Sequence, residues 1–390
     1  MHSTLRPRKI LPLIVLAQFL GTSSWFAGNA VLPSLTQLWM LPTASLASLT
    51  NSVQFGFILG ALFFSLLSIS DRFRPSRLFF FCAACSSVVN LLSALWVDSL
   101  DQMLVLRFVA GVLLAGIYPI GMKLAASWYP EGVGRALGYL LGSLALGTAV
   151  PHLFASFEVL DWRLVMLLVA VINLISGLIV FVWVSEGPNH LKPAAVRLTD
   201  IKRLFRHAKL RASAGGYFGH MWELYAIWAI APLWIASWVS THDQPIDVSL
   251  ASFGIIGIGA CGCVLGGIWS QYIGSAAVAR NMLSISGVCC LVSPLAFELN
   301  NIYWLGLFWA VWGFTIVADS PQFSALSAQN APPEAIGTAL TLINALGFSL
   351  TLIAIQLSVS LSHIIPVAWV PLILAPGPLI GVMLLRPLLR

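Results

Sequence analysis

The sequence predicts an all-α polytopic membrane protein with twelve transmembrane helices in two six-helix halves. Three observations carry this reading. Of 390 residues, 59% are hydrophobic and 9% charged, with a mean hydropathy of +0.91; soluble domains carry about 25% charged residues. Apolar runs of roughly 20 residues, the length that crosses a bilayer, recur along the whole chain. The chain also repeats itself. Pro130-Glu131-Gly132-Val133-Gly134-Arg135-Ala136-Leu137 returns as Pro333-Glu334-Ala335-Ile336-Gly337-Thr338-Ala339-Leu340. A weaker echo pairs Leu67-Ser68-Ile69-Ser70-Asp71-Arg72 with Gly267-Ile268-Trp269-Ser270-Gln271-Tyr272, at a similar offset of roughly 200 residues.

The spans follow in order. Ile10–Leu32 has no small-residue cleavage site after a short apolar core, so it reads as a retained helix. Leu46–Ile69, Leu78–Val97 and Met103–Trp128 are continuous apolar runs separated by short polar turns. Val133–Phe157 is richer in Gly and Ser, and Leu164–Val184 is strongly apolar. A polar interval, 186–211, then divides the first half (1–185) from the second (212–390). Its tract Asp200–Arg211 suits either an amphipathic helix at the membrane face or a solvated linker. The second half repeats the pattern with Ala214–Val239, Leu250–Tyr272, Ala277–Phe297, Ile302–Ser324, the Gly- and Ser-rich Ile336–Ser360, and Ile365–Leu385.

Charge placement sets the orientation. The formal charge of +6 comes from short basic clusters between apolar runs, a pattern of membrane orientation that gives no footing for nucleic acid. With the N-terminus inside, Arg6, Arg8, Lys9, Arg72, Arg74, Arg77, Arg135, Arg280, Arg386 and the basic central interval are all cytoplasmic. The outer loops keep Arg163 beside acids such as Asp98, Asp101, Asp161, Asp243 and Asp247. Both termini are therefore expected in the cytoplasm. The six cysteines all fall inside apolar runs and read as packing residues, with neither disulfide nor zinc-site spacing. No cofactor and no metal are expected.

The loop after the second span reads Asp71-Arg72-Phe73-Arg74-Pro75-Ser76-Arg77, and its counterpart keeps Gly267 and Gly274. The fourth span carries Leu106-Arg107-Phe108-Val109-Ala110-Gly111. With two six-helix halves and a basic central loop, these motifs resemble the major facilitator superfamily of secondary transporters over essentially the whole chain. The fifth span departs from the Gly-Pro-x-x-Gly-Gly of many drug/proton antiporters, having Gly138, Gly142, Gly147 and Pro151 in a looser arrangement. The resemblance implies transport by alternating exposure of a mid-membrane site.

Ionisable groups inside spans cost roughly +2.5 to +3.5 kcal/mol to insert and so mark function. Lys123, His152 and four further candidates qualify. The seventh span places His220 and Glu223 three residues apart, on neighbouring positions of one helix face. Glu223, near mid-span, is expected as the principal proton-coupling carboxyl with His220 its nearest modulator; a buried acid that fixes packing is the alternative. Asp319, followed by the helix-breaking Pro321, is the second acid, expected either to pair with Lys123 as a gate or to bind a proton. Arg107 suits a carboxylate or phosphate on a substrate or the role of counter-ion to a protonatable acid, which the resemblance favours; a structural donor to carbonyls is the alternative. A polar and aromatic stripe of Gln18, Thr22, Trp25 and Asn29, joined by Asn51 and Gln54, is expected to line the substrate cavity. From the second half Tyr217, Trp312, Thr315 and Gln322 join it. Asp71, Arg72, Arg77, Lys123 and Arg135 are assigned to a cytoplasmic gate, with Asp71 engaging Arg135 or a helix end.

The expected function is secondary active transport of a small organic solute, coupled to protons, by a monomer in a bacterial inner membrane. The few charges and many aromatic residues lean toward efflux, with uptake of a metabolite, nutrient or siderophore as the alternative. A membrane-embedded enzyme is disfavoured: His220-x-x-Glu223 lacks a further metal ligand at suitable spacing, and Asp319 is the single aspartate placed inside a span.

Overall fold

The computed structural model describes residues 9–129, 133–157, 160–188, 206–332 and 336–389, with side chains at 71, 133 and 134 left aside. Every regular element among the described residues is helical. Twelve are long and apolar enough to cross a membrane. They are α1 (Ile10–Trp39), α2 (Ser45–Leu66), α3 (Pro75–Trp96), α4 (Leu100–Trp128), α5 (Arg135–Ala155) and α6 (Trp162–Trp183). The second set is α7 (Ala208–His242), α8 (Val248–Ile273), α9 (Ser275–Phe297), α10 (Ile302–Asn330), α11 (Ile336–Leu361) and α12 (Val367–Leu388). Helices are the form such runs must take, since hydrocarbon offers no partner to a free peptide group. Exposed Trp96, Trp183, Tyr272, Tyr303 and Trp369 sit at helix ends, where aromatic belts meet the membrane–water boundary.

Three spans run at least six residues longer than the sequence reading: α1 continues to Trp39, α7 begins at Ala208, and α10 continues to Asn330. Most of the 186–211 interval, including Asp200 to Phe205, lies outside the described residues, as do Pro130–Gly132 and Pro333–Ala335 of the repeat. Five spans are interrupted. α1 breaks between Thr22 and Ala27, α4 between Leu114 and Tyr118, α8 at Ile258, α10 at Asp319, and α12 at Ala375 and Leu385. Pro119 and Pro321 each stand second in the second piece of their helices, in the first turn where a missing N–H costs nothing. In α1 the hydroxyl of Ser23 donates to the Leu20 carbonyl (2.7 Å) and competes with the helical ladder.

Glycine sets the closest contacts, and it does so twice. A Cβ at Gly56 on α2 would collide with the Phe108 carbonyl of α4, and one at Gly111 with that of Val53. In the second half Gly262 on α8 faces the Phe314 carbonyl of α10 in the same way, and Gly313 faces that of Ile255. Small residues that let helix backbones touch are the usual device of membrane packing. Between the halves, α5 lays Gly138 and Gly142 against the α8 carbonyls of Cys263 and Ala260. On the other flank α2 meets α11 through Ser65 Oγ and Thr341 Oγ1 (3.1 Å) and through Asn51 Nδ2, which donates to the Leu352 carbonyl (3.3 Å).

Replacing Gly56 by Ala should therefore overpack the α2–α4 seam at a cost of about 1–3 kcal/mol. Gly306→Ala, where a Cβ meets nothing within 4 Å, is the matched control. Thermal unfolding of the two purified variants in one detergent should show a lower midpoint for the first alone. Equal midpoints would contradict the packing described.

Candidate functional site

A cavity of about 700 Å³ lies between the halves, lined from α2, α4, α5, α8, α9, α10 and α11. It reaches the face that carries Ser70 and Ser275, the α2–α3 and α8–α9 turns. The chain's first helix starts on that face too, where the Leu11 N–H donates to the Tyr129 hydroxyl at the end of α4 (3.3 Å). Its apolar walls include Phe57, Met122, Leu340 and Phe348, and its polar ones Tyr118, Gln322, Gln329, Thr341 and Asn344. Lys123 is the charged residue in the lining, and no acid belongs to it among the described residues. Its Nζ donates to the Ser70 carbonyl (2.5 Å).

Toward the membrane centre the cavity narrows into an extension of about 30 Å³ between Tyr118, Tyr217, Tyr225, Ser320 and Asn344. Beyond it an aromatic layer closes the path. Trp25 stacks on Tyr225 and on Phe348 at ring separations of 5.8 Å, and Phe57 meets Phe348 at 4.6 Å. Phe26 meets Trp228 edge-on at 6.1 Å. The layer is built from both halves, so neither closes the path alone.

Two buried charge centres flank this axis. In the first half Arg107 is fully buried and donates through Nη2 to Asn90 Oδ1 (2.9 Å) and Ser93 Oγ (3.1 Å). Asn90 donates in turn to Ser24 Oγ (2.6 Å), which ties α3 to the break in α1. Arg107 Nε and Nη1 have no hydrogen-bond partner among the described residues. In the second half Glu223 receives three donors: Trp312 Nε1 (2.7 Å), Ser286 Oγ (2.9 Å) and Cys290 Sγ (3.3 Å). His220 stands apart from it. Its Nδ1 lies 2.8 Å from Asp319 Oδ1, and its Nε2 bonds Ser320 Oγ at 2.8 Å.

These positions correct two expectations. Asp319 faces His220, while Lys123 sits on the Ser70 carbonyl, so the two do not pair. His220 belongs to Asp319 and Ser320, whereas Glu223 is held by α9 and α10; one helical step carried the two side chains to different neighbours. Of the ten side chains expected in a cavity, Gln322 lines the large one and Tyr217 its extension. The others are in packed interior or interhelical bonds. Trp25 Nε1 donates to Gln54 Oε1 (3.3 Å), Asn29 Nδ2 to Thr50 Oγ1 (2.7 Å), and Asn51 to α11. Thr22 and Thr315 return their hydroxyls to their own helices, Gln18 is buried beside Gly121, and Trp312 serves Glu223. Among the gate residues Arg72, Arg77 and Arg135 are exposed, and the Asp71 side chain lies outside the described residues. The sequence reading passed over Tyr118, Tyr225, Ser320 and Asn344. The one signal available was that Tyr118 and Ser320 each precede a proline inside an apolar run.

Comparison with known proteins agrees with this architecture. A family model described as Major Facilitator Superfamily matches residues 14–355. The 4-hydroxybenzoate transporter PcaK of Pseudomonas putida is 25% identical over 189 residues, 47% of this chain and 41% of that one. The chain thus spans less than half the length of that relative. The putative niacin/nicotinamide transporter NiaP of Bacillus subtilis (strain 168) is 30% identical over 135 residues, 34% of this chain and 33% of its own. The probable sulfoacetate transporter SauU of Cupriavidus necator is 23% identical over 262 residues, 60% of each chain. Among solved structures, a bacterial homolog to the human lysosomal transporter Spinster, in an inward-facing and occupied conformation, superposes with a TM-score of 0.72. That match covers 99% of this chain and 97% of the other at 13% identity, a likeness of fold. By its family match and its fold, the chain belongs to the Major Facilitator Superfamily.

Proposed function

We propose that the protein is a proton-coupled secondary transporter of a small organic solute, working by alternating access between the halves 1–185 and 212–390. The observation that carries this is the cavity itself. It lies between the halves, reaches one membrane face, and ends mid-membrane at an aromatic layer shared by both. Rocking the halves about the glycine contacts of α5 and α8 would close it on one side and open the layer on the other. The Lys/Arg bias makes the open face cytoplasmic, so this is the inward-facing state of a plasma-membrane protein with both termini inside.

For the proton site the geometry favours Asp319 and His220 over Glu223. Asp319 stands at the break in α10, and its partner His220 is linked through Ser320 to the cavity's inner extension. Glu223, the carboxyl the sequence favoured, is fully buried among three donors and lines neither space. A proton that must report on cavity occupancy is better placed at Asp319. Arg107 acts as a fixed cation that ties α4 to α3 and, through Asn90, to the break in α1.

Four outcomes test this reading. Reporter fusions after residue 189 and at the C-terminus should both report the cytoplasm, and a periplasmic signal from either overturns the orientation. In proteoliposomes with an imposed pH gradient, one of 4-hydroxybenzoate, nicotinate or sulfoacetate, the substrates in the relatives' names, should accumulate with the gradient. The sign of that flux also separates proton symport from the antiport that efflux requires. Asp319→Asn should cut gradient-driven accumulation at least about tenfold, equivalent to ~1.4 kcal/mol, while leaving solute exchange across the membrane. Glu223→Gln should retain coupling and lower the unfolding midpoint by leaving a donor unmatched, about 1–3 kcal/mol. Loss of coupling in the glutamine variant alone would move the proton site to Glu223.

A further inference from the structure

The small extension at the inner end of the cavity is a built site with a chemical preference of its own. Tyr118, Tyr217 and Tyr225 border it together with Ser320 and Asn344. Among the described residues none of the three phenolic hydroxyls has a hydrogen bond within the protein. The three tyrosines share the lining of this space with apolar residues such as Leu141, Leu144 and Met221, and its volume of about 30 Å³ leaves room for two or so water molecules at ~10–15 Å³ each, or for one carboxylate. No carboxylate of the protein is part of that lining among the described residues. The nearest acids are engaged elsewhere, Asp319 with His220, and Glu223 with Trp312, Ser286 and Cys290.

A second observation points to the same charge. The interrupted helices α4 and α10 begin their second pieces at Tyr118 and Ser320, each eleven residues long, and both residues border the extension. The N-terminal ends of two half-helices therefore stand at its wall, with their positive poles toward it. Discontinuous helices of this kind favour anionic groups on a solute. Phe57 and Phe348, at the inner end of the large cavity, give it an apolar wall.

We infer that the Tyr118–Tyr217–Tyr225–Ser320–Asn344 extension is the head-group subsite of the cavity and takes the carboxylate of an organic acid, whose apolar body lies against Phe57 and Phe348. The inference rests on the transport reading and names the solute class for it. Ser320 then has two neighbours, the bound carboxylate on one side and His220 Nε2 on the other. It is a positioning residue that links head-group occupancy to the His220–Asp319 contact.

The test is binding to the purified full-length protein, by calorimetry and without any proton gradient. The probes are benzoate, hexanoate and nicotinate, each beside its own amide and its own primary amine. At least one acid should bind, and at least about tenfold more tightly than its amide or amine, the worth of a charge-assisted hydrogen bond. Tyr217→Phe and Ser320→Ala should each weaken that acid about tenfold while leaving its amide within about twofold. The inference fails if no acid binds, if amines bind in preference to acids, or if both variants, eluting and melting as the parent does, bind the acid unchanged. Failure of the transport reading looks different: acids bind as stated, yet no flux follows an imposed gradient. A protein that drives an amine with the gradient would sink the subsite and leave transport standing.

Discussion

The demand that every peptide group in hydrocarbon find its partner inside the protein governs the rest of this structure. It makes twelve helices out of twelve apolar runs. It also dictates where a helix is allowed to stop. Irregular backbone at membrane depth survives only where protein or water covers it, so each interruption marks a place that lipid does not reach. In this chain the breaks in α1, α4 and α10 are at Ser23–Phe26, Ala115–Ile117 and Asp319. All three lie beside the axis between the halves. Trp25 and Phe26 cap the cavity, Tyr118 lines it, and Ser320 lines its extension. The cavity and the irregular backbone are thus consequences of one constraint.

Duplication explains the scaffold, and divergence explains the site. The Gly56/Gly111 seam of α2 and α4 recurs as the Gly262/Gly313 seam of α8 and α10. On α3, Ser86, Asn90 and Ser93 face the break in α1 or Arg107; on α9, Ser286 and Cys290 face Glu223. Equivalent three-helix junctions therefore hold a buried cation in one half and a buried carboxyl in the other. Neither is met by an opposite charge at salt-bridge distance among the described residues, and both are held by neutral side chains instead. Such a charge is costly to bury without hydrogen bonds, and breaking its set of neutral partners is expensive for the same reason. Each centre consequently ties together helices of its own half.

Much of the fold was legible in the sequence, because run length and Lys/Arg bias are properties of one segment at a time. The break in α10 was legible too, since Pro321 announces it locally. What the sequence did not contain was the identity of the neighbour across each gap. Spacing along α7 puts His220 and Glu223 on one face, but that face spans two different helix neighbours. His220 meets α10 at Asp319 and Ser320, while Glu223 reaches Ser286 on α9 and Trp312 on α10. The polar stripe of α1 failed as a cavity lining for the same reason, since Trp25 and Asn29 bond to α2. Tyrosines and serines such as Tyr225 and Ser320 carry no signal of their own in an apolar run; their meaning comes from convergence in space.

The placement of the acids bears on the proton coupling proposed above. A carboxyl that exchanges protons during a cycle must sense the solute without being solvated by the same water. Direct exposure in the cavity would meet the first need and fail the second. If Asp319 is that carboxyl, as proposed, it would meet both through an intermediary: His220 meets Asp319 through Nδ1 and Ser320 through Nε2, and of these three Ser320 alone borders the extension. Because Asp319 is also the residue at which α10 breaks, any change in its contact with His220 acts on the joint between the two pieces of that helix. The second piece carries Gln322 and Gln329 into the cavity wall. On the proposed reading, occupancy, the histidine contact and the position of the inner wall would shift together, and a ligand can shift such an equilibrium only by as much as it binds one arrangement better than the other.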